Sequence, residues 1–188
     1  MGIRPNVCYR KLERPYTRRS AKVQKKDFIP GVPGKKINQF DMGKQSPGFD
    51  TIIELVSRAS ANVRENALES ARIVCSRHLD KVGVTNFYIK ILTYPHHVLR
   101  ENPLATGAGA DRFQEGMRRA FGKPIGTAAR VMNGDTIMRV RTNRKYMPQV
   151  KLALEKCAHK IGAETEVVVI KTSKADITPK ILEIPELC

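Results

Sequence analysis

The surplus of positive charge in this chain is segregated, and that segregation limits where a folded body can be built. Its 188 residues hold 34 Lys+Arg against 18 Asp+Glu, a formal charge of +16. Residues 1–50 carry 12 basic and 4 acidic side chains and residues 100–145 carry 10 and 4, whereas 51–99 hold 6 and 4 and 146–188 hold 6 and 6. Segments with so large an excess of one sign repel themselves and suit a polyanionic partner, while balanced segments can be packed. A merely solvated basic face usually intersperses both signs. An acidic membrane surface would need an apolar stripe beside the cations, and neither basic segment has one. The pattern predicts nucleic acid as the partner, with no membrane and no small-molecule substrate. Hydrophobic residues at 41 % are enough for one core, so the expectation is a single domain with extensions.

Apolar runs such as Val167–Ile170 are far shorter than the ~20 residues of a bilayer span. Met1–Pro5 lead into Arg and Lys without an apolar leader core, which predicts no secretory signal and a cytosolic location. Cys8, Cys75, Cys157 and Cys188 are far apart, with no CxxC pair and no His at finger spacing. No metal and no cofactor is expected on these grounds, and Cys75 and Cys157 read as small buried hydrophobes on helical faces.

Residues 1–36 read as a basic extended arm. Arg4, Arg10, Lys11, Arg14, Arg18, Arg19, Lys22, Lys25, Lys26, Lys35 and Lys36 are punctuated by Pro5, Pro15, Pro30 and Pro33, and no long helix survives those prolines. Tyr9, Tyr16 and Phe28 among the cations suit either stacking on bases or pinning the arm to the body. The domain is expected over residues 37–172. Lys36–Met42 reads as a short edge strand and Phe49–Val56 as a second strand. From Asn62, the residues Val63, Ala67, Ala71, Val74, Cys75, His78, Leu79 and Val82 recur at helical steps, with Asn62 as N-cap and Gly83 past the end. His78 on this stripe reads as packing. Asn86–Tyr94 reads as a strand largely covered on both faces, ended or bent by Pro95, with Val98 and Leu99 extending it toward Arg100.

Thr127–Met132 and Thr136–Thr142 flank Asn133-Gly134, the strongest hairpin signal in the chain. Residues 147–161 read as a second amphipathic helix, with Pro148 in its first turn and Gly162 at its end. Glu166–Thr172 reads as a closing buried strand and 173–188 as a loosely attached tail. The expected fold is α+β, a two-layer sandwich of mixed or antiparallel sheet with two amphipathic helices.

The most informative stretch lies between these elements. Five glycines from Gly107 to Gly126 stand beside Arg112, Arg118, Arg119 and Lys123. Glycine permits close backbone approach, and arginine supplies planar donors for phosphate and base edges, a combination that suits RNA better than a small ligand. Residues 101–121 would form a long loop, and as two extended legs it would reach ~30 Å from the body. Arg118, Arg119 and Lys123 are the leading phosphate contacts, with Arg112 and Arg130 beside them. Gly116, Gly122 and Gly126 would set backbone geometry, while Met117 and Phe121 would anchor the loop. Enzyme readings are weaker. Gly107–Gly109 lacks both the GxxxxGK[ST] and GxGxxG contexts of a phosphate-cradling loop, and His96, His97 and Asp111 have no HExxH or second carboxylate to make a metallonuclease.

Ala110-Asp111-Arg112, Gly116-Met117-Arg118, Ala120-Phe121-Gly122-Lys123-Pro124, Gly126 and Ala129-Arg130-Val131 resemble, position by position, the large-ribosomal-subunit protein family called L-ten-e in archaea and eukaryotes and L-sixteen in bacteria. Met1-Gly2, Arg4-Pro5 and Cys8-Tyr9-Arg10 look like the archaeal and eukaryotic form, and the tail favours the archaeal one. The resemblance implies an α/β-hammerhead fold and a structural, non-enzymatic role in the cytoplasmic ribosome. The implied partners are large-subunit (23S-type) rRNA near the peptidyl-transferase centre, neighbouring large-subunit proteins and the tRNA acceptor end. It also implies that Ala105, Thr106, Gly107, Ala108, Gly109, Ala110 and Asp111 point toward the acceptor end, and that the arm threads among rRNA helices. The alternatives that the residues leave open are a non-ribosomal RNA-binding chaperone and an RNA-processing enzyme.

Overall fold

The computed structural model describes residues 4–12, 29, 31–46, 48–105 and 107–171. In chain order its elements are α1 (Val7–Arg10), β1 (Asp41–Gly43), β2 (Thr51–Ser57), β3 (Ala61–Arg64), α2 (Glu65–Leu79), β4 (Phe87–Ile91), β5 (His97–Glu101), β6 (Lys123–Val131), β7 (Thr136–Thr142), α3 (Met147–Ile161) and β8 (Thr165–Lys171). The fold is α+β with two sheets, one ordered β1-β4-β7-β2-β8 and the other β3-β6-β5. Every pairing is antiparallel, which resolves the mixed-or-antiparallel expectation.

Alternation makes the large sheet one-sided. Ile53 and Leu55 of β2, Phe87, Ile89 and Ile91 of β4, and Met138 and Val140 of β7 are buried on one face. The helices cover that face from above. Leu68, Ala71, Cys75 and Leu79 of α2 meet Val150, Ala153, Leu154, Cys157 and Ile161 of α3 in the same core. Small residues let the two helices approach closely, and the Cys157 thiol donates to the Ala71 carbonyl at 3.3 Å. The Cys75 thiol is held well above its ordinary pKa by its hydrogen bond with Cys157 and by burial, and both cysteines are buried packing groups, as expected. The second helix has Pro148 in its first turn and ends at Gly162 with φ +68°, as its sequence predicts.

Several boundaries differ from the sequence reading, each for a physical reason. The first strand is only Asp41–Gly43, although it does lie at a sheet edge. Asn62 is not an N-cap. It lies in β3 opposite Arg130, and Val63 lies opposite Ala129. The four residues of β3 run directly into α2 at Glu65, so their alternation merges with the helical period. That helix ends at Leu79 in a 3-10 turn, Asp80–Val82, before Gly83. β4 is covered on one face only, because its alternate residues Tyr88 and Lys90 lie on the sheet face that no helix packs against.

Asn133-Gly134 does form a turn, with the Asp135 N–H donating to the Met132 carbonyl at 3.2 Å, but its flanking strands do not pair. β6 belongs to the small sheet and β7 to the large one. A type I′ hairpin turn needs positive φ at both central residues. Here only Gly134 has it, at +91°, and the chain crosses between sheets instead of folding back. The closing strand β8 is an edge strand with Ile170 exposed, not a buried one. The tail expected at 173–188 lies outside the described residues.

On the open face, the Tyr88 hydroxyl donates to Asp41 Oδ1 at 2.5 Å. Burial and then this bond push the phenol up to about 12. A phenol whose pKa is raised by folding contributes stability that is complete below about pH 10 and is lost as pH rises toward 12. Ultraviolet titration of tyrosinate in the folded protein is expected to show one group titrating near 12 that moves back toward its ordinary value in Asp41→Asn. An unchanged titration curve in that variant would refute the pairing.

Candidate nucleic-acid interface

The strands β5 and β6 pair up to Glu101↔Lys123, so residues 102–122 form one loop at the end of a two-stranded stem. The stem closes on Gly122, where an added Cβ would lie 2.7 Å from the Glu101 carbonyl carbon; any larger residue would force the strands apart. Within the loop, Ala110–Arg112 makes a 3-10 turn. The Gln114 side chain folds the loop onto itself, accepting from the Ala105 N–H and donating to the Pro103 carbonyl at 2.6 Å. The legs are therefore not fully extended, and ~30 Å is an upper bound on reach.

The cations of this loop face outward. Arg112, Arg118 and Arg119 are exposed, and Arg119 lies 3.5 Å from Glu115 with 86 % of its side chain accessible. Between them Phe113, Met117 and Phe121 are also exposed, at 85 %, 66 % and 58 %. Met117 and Phe121 thus do not anchor the loop to the core, in contrast to the expectation. Phe121 instead carries the Arg100 guanidinium, 4.0 Å above its ring. Arg100 was not among the expected site residues; its outward position on β5 was the available signal. Alternating arginines and exposed rings make a surface with donors for phosphate and faces for bases.

The arm reaches this stem. The Tyr9 hydroxyl donates to Glu101 Oε2 at 3.0 Å, and Arg4 forms an ion pair with the other oxygen of the same carboxylate. Burial first, then the bond to Glu101, raises the Tyr9 pKa. The Asn62 amide donates to the carbonyls of Tyr9 and Lys11, at 3.2 and 2.8 Å, and Arg64 donates to the Arg4 carbonyl at 2.9 Å. Of the two uses open to Tyr9, it therefore pins the arm. One turn of helix, α1, interrupts the extended path.

Arg10 and Lys11 are exposed at the end of that turn. Lys35 donates to the Tyr94 hydroxyl and sits 4.0 Å over its ring, while the Lys36 N–H donates to Glu65 Oε2 at 3.3 Å. Arg130 lies on β6 opposite Asn62. Gly107, Ala108, Gly109, Ala110 and Asp111 lie at or before the 3-10 turn, Gly116 has φ +61°, and Gly126 faces the Glu65 carboxylate. Arg14, Arg18, Arg19, Lys22 and Thr106, with Tyr16 and Phe28, lie outside the described residues. The structure thus brings Arg4, Tyr9, Arg100, Glu101, Phe121 and Lys123 together at the stem, and leaves Arg112, Arg118 and Arg119 further out on the loop.

His96, His97 and Asp111 do not form a catalytic group. His96 is exposed, His97 is buried on β5, and Asp111 is exposed in the loop. Burial and then Arg130 and Arg100 lower the His97 pKa. Among the described residues, no three His, Cys, Asp or Glu side chains come together as a metal site.

Residues 14–168 match the family described as "Ribosomal protein L16p/L10e". The large ribosomal subunit protein uL16 of Archaeoglobus fulgidus is 42 % identical over 172 residues, covering 91 % of this chain and 95 % of its own. That of Staphylothermus marinus is 44 % identical over 181 residues, 95 % of this chain and 99 % of its own. That of Methanosphaerula palustris is 47 % identical over 171 residues, 90 % and 95 % of the two chains.

Glu101→Gln is expected to loosen the arm while preserving the body. Losing one charge-assisted contact of about 1 kcal/mol predicts trypsin cleavage after Arg10 or Lys11 roughly fivefold faster at unchanged thermal midpoint. Equal cleavage rates would show that Asn62 and Arg64 hold the arm without Glu101.

Proposed function

The chain belongs to the ribosomal protein L16p/L10e family, in its archaeal form, and on that premise we propose that its exposed basic loop binds large-subunit rRNA near the peptidyl-transferase centre and helps to position tRNA. The coarser function follows from membership. The protein is a structural, non-enzymatic constituent of the large ribosomal subunit, working in the cytoplasmic ribosome against large-subunit rRNA and neighbouring proteins.

The observation that carries the finer reading is the convergence of the two basic segments at Glu101, 92 residues from Tyr9 in sequence. One carboxylate gathers the start of the arm to the root of the loop, so two cationic strands of chain leave the body from one place. Arg112, Arg118, Arg119 and Lys123 would neutralise phosphates along the loop. Arg10 and Lys11 would continue the same track, followed by Arg14, Arg18, Arg19 and Lys22. The segment from Ala105 to Asp111 would approach the tRNA acceptor end. Exposed Phe113 and Met117 support this reading, because apolar side chains amid arginines are covered when the loop lies in folded RNA.

Arg118→Ala with Arg119→Ala is expected to leave circular dichroism unchanged and to lower incorporation into the large subunit several-fold, read by sedimentation after a high-salt wash. Binding of the free protein to large-subunit rRNA should lose about 1.5 from the slope of log affinity against log salt, for two phosphate contacts. Full incorporation with an unchanged slope would overturn the role of these arginines. Release of the unaltered protein into light fractions would overturn the ribosomal reading itself.

A further inference from the structure

Away from the loop, the connection from β4 to β5 builds a row of aromatic rings. The Phe40 and Tyr94 rings stack with centroids 5.2 Å apart and 29° between planes, and His96 lies 4.4 Å from Tyr94 at 49°. Pro95 makes this arrangement stiff. The His96 N–H donates to the Tyr94 carbonyl at 3.0 Å, a three-residue turn whose central φ is the one that proline already prefers. Pro95 itself is buried, so the turn is fastened to the body while both flanking rings stay accessible.

Tyr94 is 39 % exposed and His96 is exposed at the end of the row. Phe40 packs against the core, whereas Tyr94 and His96, held side by side in water, have given up hydrophobic stabilisation that a partner could restore.

Tyr94 and His96 form one wall of an open groove of about 500 Å³, whose other side is lined by Arg130 and by Asp135 and Thr136 at the β6–β7 crossing. Asp135 brings a carboxylate to that side as well, its Oδ2 accepting the Met132 N–H at 2.8 Å. The Thr93 hydroxyl, also lining the groove, is buried and has no partner. Lys35 lies over Tyr94 on the same row. The groove therefore offers a ring face and a guanidinium, with a second cation nearby. That is the donor set for an unpaired nucleotide, whose base stacks and whose phosphate needs a cation.

We propose that this groove takes one unstacked nucleobase of RNA on His96, with the adjoining phosphate held by Arg130. The proposal rests on the RNA-binding function and adds a second contact, distinct in kind from the loop: stacking rather than charge.

The test measures binding of the full-length protein to transcribed large-subunit rRNA across a range of salt. His96→Ala is expected to weaken binding about 5- to 150-fold, the usual cost of one lost base stack, with the salt slope unchanged. His96→Phe, which keeps a ring, should restore it. Arg118→Ala with Arg119→Ala should lower the slope instead, so the two kinds of contact separate. Wild-type affinity in His96→Ala, while the loop variant loses affinity, would overturn the groove and leave RNA binding intact. Equal losses in His96→Ala and His96→Phe would overturn stacking. If neither the groove nor the loop variant alters rRNA affinity, the RNA-binding reading falls and the groove with it. A photoreactive phenylalanine analogue at position 96 should attach to rRNA in assembled subunits; attachment to a neighbouring protein would overturn the proposal.

Discussion

Three short crossings carry the chain between its two sheets, at residues 58–60, 92–96 and 132–135, and the molecule depends on their being locked. The first and third are tied to each other. Gly134 donates to the Ser57 carbonyl at 2.8 Å, Ser57 donates to the Asp135 carbonyl at 2.9 Å, and Asn133 donates to the Ser60 hydroxyl at 3.2 Å. The backbone groups that leave one ladder are thereby satisfied before they enter the next. The second crossing, through Pro95, is joined to the large sheet where Leu92 donates to the Ile137 carbonyl at 3.0 Å. Because these crossings are held, β5 and β6 project together from the small sheet, and the stem of the basic loop has a rigid base.

Three carboxylates then organise a chain dominated by cations. Glu65, nearly buried at the start of α2, accepts from the Thr127 hydroxyl at 2.8 Å and from the Lys36 N–H at 3.3 Å. It joins helix, small sheet and incoming chain at one point, where the helix dipole favours negative charge. Glu101 does the same for the arm and the loop stem. Glu54 pairs with Arg139 at 2.5 Å and with Thr136 at 2.8 Å on the open face of the large sheet. Each of these acids is spent on cations or donors that the fold must position, whereas the arginines of the loop stay exposed, Arg119 beside Glu115.

Much of the candidate site was legible in the sequence. Glycines interleaved with Arg112, Arg118, Arg119 and Lys123 identify a long cationic loop, because no folded core tolerates that composition. Its fine anatomy was not legible. Gln114 clasping Pro103, Arg100 over Phe121 and Tyr9 on Glu101 are contacts between residues whose proximity depends on backbone path, and nothing in residue type distinguishes them. The groove beside Tyr94-Pro95-His96 needs the same knowledge, since Arg130 reaches it only after β6 has paired in the small sheet.

Local sequence by itself determined the two amphipathic helices, most of the strands, the burial of Cys75 and Cys157, and the concentration of charge that singles out a long cationic loop. These are decided over a few residues by side-chain spacing, propensity and capping. Tertiary structure alone decided which strand meets which. Thr127–Met132 and Thr136–Thr142 look like the two halves of a hairpin, yet they enter different sheets because the turn at Gly134 lacks the twist that would return one to the other. In the same way β3 takes Asn62 and Val63 from the helix, as only the ladder with β6 gives their backbone groups partners. Pairing is a contest among distant segments for the same hydrogen bonds and the same buried face, and that contest is settled by the whole chain at once.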